Sequence, residues 1–145
     1  MSITKTLTLT TIAAGLVTAA WSHNAHADIT TERLKAAQTH GFTHIEKVEY
    51  EDNGFVEVEG WGEDGSYLEV KFDGETVVEE NRERTNVQPW GISFAQMEQL
   101  LAHANDEGIH TVKDIEVEEN GQIEVEGRDA DDREKKVKVR ISDLG

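Results

Sequence analysis

The sequence predicts an α+β protein of two tandem repeats, each a helix packed on a three- to four-stranded antiparallel β-meander. Three observations carry this. Shifted by 67 residues, Leu34–Phe72 aligns on Leu101–Val139 without a gap, with fourteen of the 39 positions identical. The matches include turn and apolar positions (Gly41/Gly108, Asn53/Asn120, Gly54/Gly121, Val58/Val125, Gly60/Gly127, Val70/Val137), where acidic bias alone would match only Asp and Glu. Each repeat opens on helical spacing stopped by a glycine, and then alternates apolar with charged residues at the period of a strand.

Residues 1–27 read as a secretory signal peptide. Lys5 is its one charge, Leu7 to Ala20 is uncharged and too short to span a bilayer, and Ala25-His26-Ala27 places small residues ahead of a cleavage before Asp28. The first repeat is expected at residues 28–78, a linker at 79–92 and the second repeat at 93–145.

In the first repeat Thr30 or Thr31 caps a helix, Leu34 and Ala37 face inward, and Gly41 stops it. Three strands follow. A two-residue Asn-Gly turn would set Tyr50 opposite Glu57, mixing apolar and acidic side chains on one face. A three-residue loop with Gly54 left-handed pairs Tyr50 with Val56 and Val48 with Val58, keeping one face apolar. The same logic at Glu63-Asp64-Gly65 pairs Val58 with Val70, Val56 with Phe72 and, on the outer face, Trp61 with Tyr67. Gly60 and Gly127 fall on the inner face, where a missing side chain suggests close approach of the helix. Gly74 to Val78 adds a short fourth strand, and Glu79 to Pro89 is the polar connection.

In the second repeat Ser93 and Gln96 form a capping box, Phe94, Met97, Leu101 and Ala104 share a helical face, and Gly108 ends the helix. The strand register pairs Val117 with Ile123, Ile115 and Val137 with Val125, and Val139 with Ile123. Each unit of about 50 residues is near the lower limit of independent stability, so the two are expected to pack on one another.

Composition narrows the chemistry. The 145 residues carry 14 Lys+Arg against 30 Asp+Glu, a formal charge of −16 that argues against nucleic-acid or anionic-lipid partners. After removal of residues 1–27, 13 Lys+Arg face 30 Asp+Glu, a charge of −17. With no cysteine there is no disulfide, thiolate zinc site or cysteine nucleophile. No hydrolase, zincin or phosphate-loop motif occurs, so the chain is read as non-catalytic and without a cofactor.

Histidines and acidic loops supply the alternative, a cation or small-ligand sensor. His103 and Glu107 are four apart on a helix, yet His110 lies beyond the Gly108 stop, and His40 and His44 straddle Gly41. Asp129-Ala130-Asp131-Asp132 is acidic but lacks the glycine and the twelfth-position Glu of an EF-hand, so no metal site is assigned.

The outer sheet faces differ between the repeats. In the second, Glu124 opposes Lys138, Glu126 opposes Lys136 and Arg128 opposes Glu134, a solvated pattern. The first has Phe55, Trp61 and Tyr67 where the second has Gln122, Arg128 and Glu134, set among Glu57, Glu59, Glu69 and Lys71. Two arrangements account for such a face. Phe55, Trp61, Tyr67, Glu57 and Glu69 bind a protein partner, or the aromatics pack internally against the second repeat or Trp90.

The order helix, glycine, meander, then Lys71-Phe72-Asp73-Gly74-Glu75-Thr76-Val77 resembles PepSY domains, and the second repeat follows it as far as Val139. The arrangement is also similar to the tandem architecture of the β-lactamase inhibitory protein. The resemblance implies a non-catalytic module that binds polypeptide, in some members inhibiting a protease or helping a propeptide fold. The expected protein is thus periplasmic, or secreted if the source is not Gram-negative. Its expected partner is an envelope or secreted protein such as a hydrolase, with no nucleic acid and no membrane insertion after cleavage.

Overall fold

The computed structural model describes residues 28–145, so the expected signal peptide lies outside the described residues. The element order is α1 (Thr31–His40), β1 (Phe42–Tyr50), β2 (Val56–Gly62), β3 (Tyr67–Asp73), β4 (Thr76–Glu83), α2 (Phe94–Asp106), β5 (Thr111–Val117), β6 (Gln122–Arg128), β7 (Glu134–Arg140) and a 3-10 turn (Ile141–Asp143). The strands form one antiparallel sheet in the order β4-β3-β2-β1-β5-β6-β7. The protein is therefore α+β, two helices with a seven-stranded antiparallel sheet.

The helices start and stop where their local chemistry requires. Thr30 caps α1 by accepting from the Arg33 amide, and Gly41, at φ 109°, supplies the left-handed stop. Ser93 and Gln96 close a reciprocal capping box on α2. Ile29 and Ile92 immediately precede the two caps, the position from which an apolar residue staples onto the fourth helical residue, here Leu34 and Met97. All four are buried.

The strand register follows the apolar alternation. Tyr50 pairs with Val56, Val48 with Val58, Val58 with Val70 and Val56 with Phe72. Val117 pairs with Ile123, Ile115 with Val125, Val125 with Val137 and Ile123 with Val139. Gly54 at φ 91° and Gly121 at φ 89° take the left-handed loop conformation. The inner side chains of both halves belong to one continuous core.

Three expectations need correcting. The fourth strand does not stop at Val78: it runs to Glu83, through the first part of the expected linker. All eight of its residues are exposed, so it carries no alternation to reveal it. On α2 the buried stripe is Met97, Leu100 and Ala104, whereas Phe94 and Leu101 only pack at the core margin. Gly60 and Gly127 are not making room for helices. A Cβ at Gly60 would strike the His44 carbonyl, and one at Gly127 the Thr111 carbonyl, both on the neighbouring strand. β-Bulges lie close by, between Ile45 and Lys47 and between Val112 and Asp114. The expected packing of the two halves on one another is edge to edge, through β1 and β5.

That junction places Val48 opposite Ile115, flanked by Lys47–Glu116 and Glu49–Asp114. Each pre-helix segment also crosses to the opposite half. The Ile29 amide donates to the Val112 carbonyl at 2.8 Å, and Ile45 and Ile92 exchange two backbone hydrogen bonds at 2.8 and 2.9 Å.

A shared core and crossed segments predict that Gly60→Ala, which forces β2 off β1, lowers stability by about 1–3 kcal/mol. Urea unfolding followed by tryptophan fluorescence, which reports the first half, and by far-UV circular dichroism should shift together to the same new midpoint. Separate transitions would contradict one cooperative unit.

Candidate functional site

The helices cover only one face of the sheet. On the other, the alternation that sends valines inward sends charged and aromatic side chains outward. Trp61 and Tyr67 are direct cross-strand partners, their rings edge-to-face at 5.0 Å. Trp61 is nevertheless 3% exposed, because Trp90 of the segment before α2 lies over it at 5.3 Å. Its indole Nε1 is buried with no hydrogen-bond partner. Internal packing against Trp90 is thus present at Trp61, while Tyr67 beside it stays partly exposed, as does Phe55 at the opposite end of β2.

Tyr67 joins the aromatic cluster to the carboxylates. Its hydroxyl donates to Glu59 Oε2 at 2.9 Å. Burial and the adjoining Glu59 and Glu46 raise the Tyr67 pKa, so the phenol remains protonated and acts as a fixed donor. Glu46, at the β1 bulge, is itself raised, chiefly by burial and in part by the nearby Glu59 and Glu116 charges.

Two charged rows cross the sheet. One runs Glu69, Glu59, Lys47, Glu116, Glu124, Lys138. The other runs Lys71, Glu57, Glu49, Asp114, Glu126, Lys136, so that four carboxylates stand directly opposed across β2, β1, β5 and β6. The lysines are committed. Lys71 Nζ lies 2.8 Å from Glu51 and 3.6 Å from Glu57, Lys47 lies 3.0 Å from Glu49, and Lys136 lies 2.7 Å from Glu124. Asp114 Oδ1 is buried without a hydrogen-bond partner. Burial first, then the Glu49 charge, push the Asp114 pKa up to about 6. Glu57 is also raised, mainly by burial. Glu69, at the rim, is exposed.

Among the described residues no three His, Cys, Asp or Glu side chains come together in a way that could hold a metal ion. His103, Glu107 and His110 are each exposed, with Glu107 forming the C-cap of α2. His44 Nδ1 lies 3.0 Å from the Thr43 hydroxyl. His40 sits between Phe42 and Phe72, with Nε2 3.1 Å from Glu80 of β4. That short contact has the distance of an ion pair but not the geometry of a hydrogen bond. In the Asp129–Asp132 loop, Asp129 accepts the Asp131 and Arg133 amides and Arg133 bridges Asp129 and Asp131. These carboxylates therefore brace a turn in which Asp132 takes a left-handed φ of 62°.

Sequence reasoning missed Glu49 and Asp114 because the β1–β5 pairing joins distant residues. Packing against Trp90 is one of the two arrangements the sequence leaves open, and Trp61 takes it.

A family model described as peptidase propeptide and YPEB domain, PepSY_2, matches residues 3–80. No curated protein matches the chain, and no solved structure does either. Of the described helices, none is long and apolar enough to cross a membrane.

Two predictions follow from this geometry. Trp61→Ala empties a buried site and should cost about 3–5 kcal/mol in denaturant unfolding, so a binding defect in that variant would report stability. A folded-state pKa raised above the ordinary 3.8 means the native protein holds the Asp114 proton more tightly than the unfolded chain does. The side chain's contribution to stability is therefore greatest below pH about 4 and is lost as pH rises through about 6. Asp114→Asn should raise the melting temperature at pH 7.5 and change it little at pH 4; an equal shift at both would contradict the desolvated carboxylate.

Proposed function

Because the chain belongs to the PepSY family, whose domains are generally linked to protease propeptide or inhibitor-like binding, we propose that it is an exported, non-catalytic module that captures an envelope protease or other hydrolase. PepSY domains are usually extracellular or periplasmic, which agrees with reading residues 1–27 as a signal peptide. Residues 81–145 fall outside the family match, and we take them as a second copy of the unit. The constant 67-residue offset supports this: Val58–Val70 and Val125–Val137 are equivalent pairs, as are the close approaches of Gly60 to His44 and Gly127 to Thr111.

The binding surface in this proposal is the outer face of the first half. Its support is the one observation that Phe55 and Tyr67 stay partly exposed on a sheet face no helix covers, with Glu57 and Glu69 around them. Trp61 and Trp90 make the rigid floor rather than the contact itself. Aromatic anchors of this kind contribute disproportionately at protein interfaces.

Immobilised protein passed over envelope extract, with captured proteins identified by mass spectrometry and assayed for hydrolysis, tests the proposal. The expected result is capture of a peptidase whose activity falls when the protein is added. Phe55→Ala and Glu57→Gln/Glu69→Gln should lose capture while keeping the native circular dichroism. Undiminished capture by these variants would contradict this face as the site.

A further inference from the structure

The sheet ends on two open edges, β4 and β7, and their charges differ in sign. β4 sets Glu79, Glu80 and Glu83 against Arg82, whereas β7 sets Lys135, Lys136, Lys138 and Arg140 against Glu134. Every other described strand carries more acid than base, so the one basic strand of an acidic chain stands at an edge. All of β4 is exposed, as is β7 apart from Val137 and Val139. Such edges present unpaired backbone groups to any strand that can approach.

Hydrogen-bond parity shows which groups these are. The Asp129 amide donates to the Arg133 carbonyl and the Ile141 amide to the Gly121 carbonyl, so the odd residues of β7 bond to β6. Lys136, Lys138 and Arg140 therefore turn their backbone N–H and C=O outward. The Gly62 amide donates to the Ser66 carbonyl, so even residues of β3 bond to β2 and odd ones to β4. Tyr67–Glu83 and Glu69–Asn81 are then bonded pairs, which leaves the backbone groups of Glu80 and Arg82 facing outward.

Because every pairing is antiparallel, β4 and β7 run in the same direction. A second copy with its helices on the same side thus lays its β4 parallel to β7. With Lys138 beside Asn81, the Lys138 N–H meets the Glu80 carbonyl and the Arg82 N–H meets the Lys138 carbonyl. That register also sets Lys136 beside Glu79 and Arg140 beside Glu83 on the helix-free face, with no like charges opposed. A slip of two residues would instead set Glu134 beside Glu79. Lys136 already bridges Glu124 and Glu126, but Arg140 and Glu83 are exposed and have no ion-pair partner among the described residues.

We propose that β7 of one copy docks on β4 of another, extending the sheet head to tail. A second β7 would oppose lysine to lysine, so the basic edge selects the acidic one. The contact is heterologous and builds a chain or a ring rather than a two-fold dimer. At physiological ionic strength screening over about 8 Å damps the repulsion between the rest of the copies while the edge pairs remain in contact. The proposal is independent of the binding face above, which such an assembly leaves open.

Sedimentation velocity over a rising concentration series of the protein, at physiological ionic strength, tests it. The weight-average sedimentation coefficient should climb with concentration. Glu83→Lys and Arg140→Glu should each weaken association by about fivefold or more while keeping the native circular dichroism. An equimolar mixture of the two should recover the parent's association, because the altered edges then match each other and the unaltered edges meet as in the parent. Glu98→Gln/Asp106→Asn on α2 should leave association within about twofold of the parent's. Three outcomes would overturn the proposal: one monomeric species at every concentration, either single variant associating as the parent does, or a mixture no stronger than its components.

Discussion

The pairing of β1 with β5 is the constraint on which the rest of the molecule depends. Val48 and Ile115 meet at its centre, both fully buried, and each helix-capping segment crosses the junction to bond the opposite half. Either half alone would leave a long central strand edge unpaired and an apolar face only partly covered. With about 50 residues, no cysteine and no metal cluster among the described residues, neither half has another source of stability. Joining the edges converts two marginal units into one core.

The same junction gives the outer face its electrical character. Within each half the pairing sets acids beside lysines at Glu57–Lys71 and Glu126–Lys136, and beside other acids at Glu49–Glu57 and Asp114–Glu126. Bringing β1 and β5 together sets Glu49 beside Asp114, with Lys47 paired to Glu49 and opposite Glu116, while Lys71, Lys136 and Lys138 stay on the flanking strands. The −16 of the whole chain is therefore not an even coat for solubility. Part of it is focused on a surface bounded by Trp90, Tyr67 and Phe55, where a protein partner would find both charge and anchors.

Much of this was legible in the sequence, and the limits were physical. Register could be derived because a slip of one residue would turn every valine outward, and the three-residue loops through Gly54 and Gly121 admit only the apolar pairing. Trp61 opposite Tyr67 followed from that register. β4 was underestimated because a wholly exposed edge strand, Thr-Val-Val-Glu-Glu-Asn-Arg-Glu, needs no apolar period. The bulges near Glu46 and Lys113 were hidden because an inserted residue breaks the period that would reveal it, and the need for glycine at positions 60 and 127 then looked like helix packing. Leu100 was passed over for Leu101 because both lie near the helical stripe, and tertiary packing chooses between them. The β1–β5 junction, and with it Asp114 beside Glu49, depends on which strand edges meet, a choice local patterning does not encode.

Native-state hydrogen exchange at the junction is the most direct measurement of the account. The amides of Val48, Ile115 and their neighbours in β1 and β5 should open only with global unfolding, and core amides of β2 and β6 should share that same opening free energy as urea is raised. Exchange in β5–β7 at a lower free energy than in β1–β3, with the first half still protected, would show two independently stable units and contradict the dependence of the fold on the joined edge.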